Sequence, residues 1–283
     1  FIRGGFAADL TPYLDGTEWG KSIASSALGA YQYEGKYYGV PINLNGKVFA
    51  YSKEAFTKDG VTPPATLAEL KASCSALSSA GYTPIAFGNQ YGWPAIHYIT
   101  QFNAQFVPAD VRAADYNPAG GAFTDPGYEK ALAAFKDLID GCSKPGSNGI
   151  SHETAQAELT NGKAAMQYIE VLEFVNLEDE ATVPEAFRGN WDQFVMPPVD
   201  GAGGNQTAIT GAPDGFLVNA QSQHLDIAVD FLTFLTNKAN AAELTRTIGW
   251  PSPIDGATTA ENASAMTVKA VGEIQAATEL AVW

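Results

Sequence analysis

Apolar and polar positions along this chain repeat with two periods that trade places. Strand-like apolar runs fall at 38–51, 83–87, 164–170, 193–196 and 215–219, and stretches of helical period lie at 66–80, 127–140, 151–161 and 224–236. That alternation predicts an α/β architecture. The helix signals carry their own punctuation. Thr66 with Glu69 forms a Thr-x-x-Glu capping box ahead of a stripe through Leu67, Leu70 and Leu77, and Gly81 closes it. Asp125-Pro126 opens a second helix whose Leu132, Phe135, Leu138 and Ile139 recur at helical spacing, with Gly141 as its stop. No internal repeat or low-complexity segment interrupts the pattern.

The first strand-like run breaks its own rule. In GKYYGVPINLNGKVFAYSKE, residues 35–54, the apolar residues are interrupted at a spacing of two by Asn43, Asn45 and Lys47. On a strand that spacing sends all three side chains to one face. A buried amide without a partner costs about 1–3 kcal/mol, so this face is expected to border a wet, polar cleft.

Composition narrows the class. The chain has 283 residues, 46% of them hydrophobic and 11% aromatic, which is globular and long enough for two domains of ordinary size. Sixteen basic against 31 acidic residues leave a net charge of −15, which argues against duplex nucleic acid or an anionic membrane surface as partner. No apolar run reaches the length of a membrane span, and FIRGGFAADL has none of the features of a signal peptide. Cys74 and Cys142 stand 68 positions apart and fit no metal or redox spacing. In an exported protein they could join, and a loop of that length would contribute about 3–5 kcal/mol; two separate buried thiols are the alternative.

Taken in order, GKYYGVP, a strand, FAYSKEAF, GVTPPATLAELKASCSALSSAGYTPIAFG, NGKAAM, GAPDGFLVNAQSQHLDIAVDFLTFLT and GWPSP resemble the extracellular solute-binding proteins of carbohydrate ABC importers, the maltose-binding-protein-like group. Ser52 and Leu67 depart from the usual Asn and Trp, but the order covers nearly the whole chain. The resemblance implies a two-lobed, type II periplasmic-binding-protein-like fold, truncated at both ends. It places the crossings between lobes near 49–52, 208–212 and 250–253. One lobe would take 1–49 and 211–250, the other 52–208 and 254–283. Gly211, Pro251 and Pro253 suit such crossings, the first by its conformational freedom and the prolines by stiffness. Ligand would be held by hinge closure.

A sugar offers apolar C–H faces and a rim of hydroxyls, so its site calls for aromatic planes, amides and carboxylates. The segment GNQYGWPAIHY, read as a loop at 88–98, supplies Tyr91, Trp93 and His97, with Trp93 the leading stacking candidate and a core tryptophan beside Pro94 its alternative. Asn43 and Asn45 resemble polar contacts on the strand leading to the first crossing. Glu170 stands where the family usually carries a Gly, a small residue and a Trp; here Glu170-Val171-Leu172 replaces the aromatic with an acceptor. Asp214 in GAPDG, Trp250 and Trp283 complete the candidate ligand-binding set, each with a turn or core role as alternative.

An enzyme is the competing class. Glu170 with Asp214 could form the carboxylate pair of a glycan-degrading enzyme, but no motif supports it. His97, His152 and His224 are too dispersed for a zinc site, and neither a phosphate-binding loop nor a nucleophile elbow is present. The expectation is a monomeric carbohydrate-binding protein without cofactor, metal or catalytic activity. It would work outside the cytoplasm as a surface lipoprotein or in a periplasm and deliver a mono- or oligosaccharide to the membrane subunits of an ABC importer. A different small polar solute is the nearest alternative.

Overall fold

A computed structural model describes residues 1–117 and 120–282. They divide into two compact units, one from Phe1–Gly46 with Gly211–Ala276, the other from Lys47–Thr210 with the segment from Ala277 onward.

The second unit is built on a four-stranded sheet in the order Thr83–Ile85, Ala164–Glu170, Lys47–Ser52, Trp191–Phe194. Lys47–Ser52 is central, antiparallel to both neighbours and buried along its whole length; Thr83–Ile85 joins parallel to Ala164–Glu170. In this register Phe49 lies opposite Tyr168 and Phe194, and Lys47 opposite Glu170. Because side chains alternate across a strand, Lys47, Phe49 and Tyr51 share one face. That face meets an aromatic core of Phe49, Tyr51, Phe87, Tyr98, Phe102, Tyr168 and Phe194, in which the Phe49 and Tyr168 rings lie 4.9 Å apart. The helices Leu67–Ser79, Trp93–Phe106 and Pro126–Cys142 bring Leu70, Leu77, Tyr98, Phe102 and Leu138 into it. Cys74 and Cys142, both buried, form a disulfide with Cα atoms 5.3 Å apart, tying the first of these helices to the last.

The first unit has a core of Leu10, Leu14, Ile23, Val40, Val218, Val229, Leu232 and Ile254. Gly39–Pro41 pairs antiparallel with Gly215–Leu217. A small hairpin, Gln32–Tyr33 with Lys36–Tyr37, turns through Glu34 and Gly35 at φ 50° and 77°, the left-handed pair that a two-residue turn of its twist requires. Helices Leu225–Leu235, Lys238–Ile248 and Ala265–Ala276 complete the unit.

Several local signals are realised as read. Glu69 N–H donates to Thr66 Oγ1 at 3.2 Å, and Gly81, at φ 94°, follows the C-cap Ala80. Others need correction. The run 38–51 is not one strand: Gly39–Pro41 ends in the first unit, Lys47–Ser52 begins in the second, and 42–46 between them belongs to neither ladder. There Ile42 N–H donates to Asp214 O and Leu44 N–H to Pro251 O, both at 2.8 Å, so the strand argument that aligned Asn43 and Asn45 with Lys47 does not carry across the break. The segment 88–98 is a loop only to Gly92. Trp93 opens a helix with Pro94 in its first turn, and Asn89 Oδ1 accepts from Ala95 N–H at 3.0 Å to cap it. Gly141 lies inside Pro126–Cys142 rather than ending it, and Leu132 faces out, 52% exposed.

The chain passes between units at Gly46/Lys47, Thr210/Gly211 and Ala276/Ala277. The first passage precedes 49–52 because those residues are already committed to the centre of the sheet. The third is not at 250–253. Pro251 O and Pro253 O accept from Leu44 and Ala24 of the first unit, Ile254 bridges Ile23 there, and residues 254–276 therefore belong to that unit. The terminal segment that does return, through Leu280–Ala281, pairs parallel with Ile209–Thr210 and is fixed by a bidentate Arg112–Glu279 ion pair at 2.7 and 2.8 Å.

Candidate functional site

Where the core face of the central strand reaches its N-terminal end, aromatic packing gives way to charge. Two residue pairs beyond Phe49–Tyr168, and so on the same face, comes Lys47–Glu170, and the Lys47 ammonium lies 3.4 Å from Glu170 Oε1 and 3.8 Å from Glu173 Oε1. The first turns of the Trp93 helix lie alongside: Trp93 and His97, four apart and so on one face, have ring centroids 5.1 Å from each other. Lys47 Nζ sits 5.1 Å from the Trp93 ring centre, within cation–π range, and His97 Nε2 is 4.0 Å from Glu170 Oε1. From the helix His152–Thr160, His152 lies 4.6 Å from the Trp93 ring and 2.5 Å from Glu173 Oε2, to which Gln156 also donates at 2.9 Å. The other oxygen of Glu173 accepts the Glu170 N–H at 2.8 Å.

These contacts sort the groups by availability. Lys47 is buried, with 1% of its side chain exposed, whereas Glu170 keeps 23% and Trp93 is half-buried. Burial pushes the Lys47 pKa below its usual value, and the two carboxylates pull it back up. Burial, with Lys47 and His152 adding to it, takes His97 down to about 2, so that imidazole is neutral. Burial would raise the Glu173 carboxyl, but its hydrogen bond to His152 and the Lys47 charge overcome this and hold it below the ordinary range. Glu173 is thus fully engaged within the protein. Glu170, whose side chain also accepts the Glu173 N–H in a capping box, and the half-buried Trp93 ring are the partly exposed acceptor and aromatic group of the site.

The other sequence candidates fall elsewhere. Tyr91 is exposed in the loop before the Trp93 helix, its hydroxyl donating to Glu153 at 3.2 Å. Asn43, Asn45, Asp214 and Trp250 belong to the first unit. Asn43 and Asp214 clasp each other: Asn43 Nδ2 donates to Asp214 Oδ2 and Asp214 N–H donates to Asn43 Oδ1, both at 2.9 Å. This accounts for the buried Asn43 amide as a structural clamp. Asn45 is also buried, and among the described residues its Oδ1 accepts no hydrogen bond. Trp250 is half-buried beside Pro251. Trp283 lies outside the described residues. Among the described residues no group of three or more His, Cys, Asp or Glu could hold a metal ion, and no helix is long and apolar enough to cross a membrane.

The family model for bacterial extracellular solute-binding proteins matches residues 1–242. The chain belongs to that family. A Brucella abortus (strain 2308) protein named as a binding protein is 26% identical over 252 residues, 88% of this chain and 58% of its own length, so the chain spans less than two thirds of that relative. Among solved structures, one from a study of xylan utilization by Caldanaerobius polysaccharolyticus matches with TM-score 0.83 and 22% identity over 99% of this chain and 72% of that one. The solute receptor AcbH, described as preferring β-D-galactopyranose, matches with TM-score 0.82 and 23% identity over 99% and 69%. A chitin oligosaccharide binding protein gives 0.81 and 23% over the same shares. These matches establish the solute-binding-protein fold, of the kind the motif order implied.

Within this solute-binding protein, the fold brings together three of the sequence candidates, Trp93, His97 and Glu170. Lys47, His152, Gln156 and Glu173 join them without standing among the ligand-binding candidates of the sequence. Two signals were available. Lys47 was already conspicuous as a charge within an apolar run, and His152 and Gln156 stand four apart on a helix of evident period.

Proposed function

We propose that this protein captures a carbohydrate outside the cytoplasm and hands it to the membrane subunits of an ABC importer, acting as a monomeric surface lipoprotein or periplasmic protein and performing no chemistry on its ligand. The observation that carries this reading is a partly exposed Trp93 ring and a partly exposed Glu170 carboxylate that both lie against Lys47. The ring suits the C–H face of a pyranose, and the carboxylate suits two of its hydroxyls. Family membership supports capture rather than catalysis. The sugars named for similar structures, β-D-galactopyranose and chitin oligosaccharides, support the ligand class.

The test is a titration of intrinsic tryptophan fluorescence, with thermal melting in parallel, against neutral mono- and oligosaccharides. A saturable signal, a raised Tm and intact sugar afterwards are expected, with Trp93→Ala weakening binding by about 1–3 kcal/mol, the range of one lost stacking platform. Hydrolysis of the sugar would replace capture with catalysis. Silence across the panel would point to another polar solute.

A further inference from the structure

We infer that the Trp93–Glu170 site accepts neutral sugars and rejects anionic ones such as uronic acids; this rests on the carbohydrate reading above. The charges that a ligand meets at this site decide the selection. One ammonium, Lys47, stands against two carboxylates, Glu170 and Glu173, which leaves one net negative charge, and His97 is neutral.

The positive charge is also the covered one. Lys47 is 1% exposed and lies against Glu170 and the Trp93 ring, while Glu170 is 23% exposed. Two donors beside the carboxylates are already engaged: Gln156 donates to Glu173 Oε2, and His152 is bonded to the same oxygen. A ligand carboxylate placed against Glu170 would therefore face a like charge while Lys47, the cation described beside it, is buried, and the electron-rich face of Trp93 does not attract it. Hydroxyl groups meet the opposite situation, because an ionised carboxylate accepts them in charge-assisted hydrogen bonds. Lys47 acts on this site as a positioning residue, holding Glu170 from one side and the indole from the other.

The experiment compares matched pairs at pH 7 by fluorescence titration of the intact chain: D-galactose with D-galacturonate, and D-glucose with D-glucuronate. For whichever neutral sugar binds, its uronate is expected to bind at least tenfold more weakly, about 1.4 kcal/mol. The gap should narrow in Glu170→Gln, and also in the wild-type protein when salt is raised from about 0.01 to about 0.5 M, because the repulsion is screened. A uronate that binds as tightly as its neutral partner, or alone, overturns the charge selection and leaves the carbohydrate reading standing. A gap unchanged in both Glu170→Gln and high salt overturns the assignment to Glu170. Silence from these pairs and from the whole panel of neutral mono- and oligosaccharides overturns the carbohydrate reading and this inference with it.

Discussion

Replacing Lys47 with Met removes the one cation at the centre of the network and keeps nearly its volume. At an effective dielectric of about 20, a charge pair at 3.4 Å attracts by about 5 kcal/mol and one at 3.8 Å by about 4 kcal/mol. Desolvating a buried ion offsets several kcal/mol of this, and cutting one partner from a buried pair costs about 3–5 kcal/mol when the other is stranded. Here neither carboxylate is stranded. Glu173 keeps His152 at 2.5 Å and Gln156 at 2.9 Å, and Glu170 keeps solvent at its 23% exposed side chain. The expected loss for Lys47→Met is therefore smaller, about 1–3 kcal/mol at pH 7.

The pH dependence tests the cause. The Glu173 carboxyl is held below its usual 4.5 in the fold, so the stability it contributes is present above that value and is lost as the pH falls through the lower folded value. Without Lys47 the depression is weaker. The difference between wild type and Lys47→Met should then be largest near neutrality and shrink below about pH 4.5. Urea unfolding followed by circular dichroism at pH 7 and pH 4 measures it. A variant as stable as wild type would show that the network adds nothing to the fold. A difference that widens on acidification would show that Lys47 does not stabilise the fold through the ionised Glu173 carboxylate, which would undo the account of the network.

Three further outcomes follow from other parts of the molecule. Opening the 68-residue Cys74–Cys142 span by Cys→Ala at both positions should lower stability by about 4 kcal/mol on the loop-entropy relation, and a loss under about 1 kcal/mol in urea melts would contradict that relation here. Asn43→Leu removes two reciprocal 2.9 Å bonds with Asp214 and should cost about 1–3 kcal/mol; in a double-mutant cycle with Asp214→Ala, a coupling below about 0.5 kcal/mol would show that the clasp is incidental. Arg112→Met breaks the bidentate bond to Glu279 at about 1.5–3 kcal/mol. Amide exchange should then accelerate at Ile209 and Ala281, the strands that Glu279 joins, and unchanged exchange there would count against the role given to Arg112.

What the sequence made legible was local, and what it hid was register. The helix at 67–79 could be read because its cap, stripe and stop all lie within fifteen residues or so of one another. The helix that matters most to the site could not be read this way. Gly92 and Pro94 look like loop punctuation, yet proline is permitted in a first turn, and the side chain that secures this one, Asn89, caps from the loop, six residues before the Ala95 amide it accepts from. The difference changes the site's character. On a loop, Trp93 and His97 would be independent; on a helix they stand one turn apart with their relative position fixed by backbone hydrogen bonds. Lys47 was visible as an anomaly and Glu170 as a departure from the family pattern, but nothing local says that they are opposite one another, since that follows from how two distant strands pair. The same reasoning explains Asn43, whose spacing suggested a strand facing a cleft although its amide answers to Asp214 across the chain. A buried polar residue announces that a partner exists and leaves open which one. Asn43 and Lys47 look alike in the sequence, and only pairing distinguishes the structural clamp from the residue that holds the carboxylate and indole of the proposed ligand site.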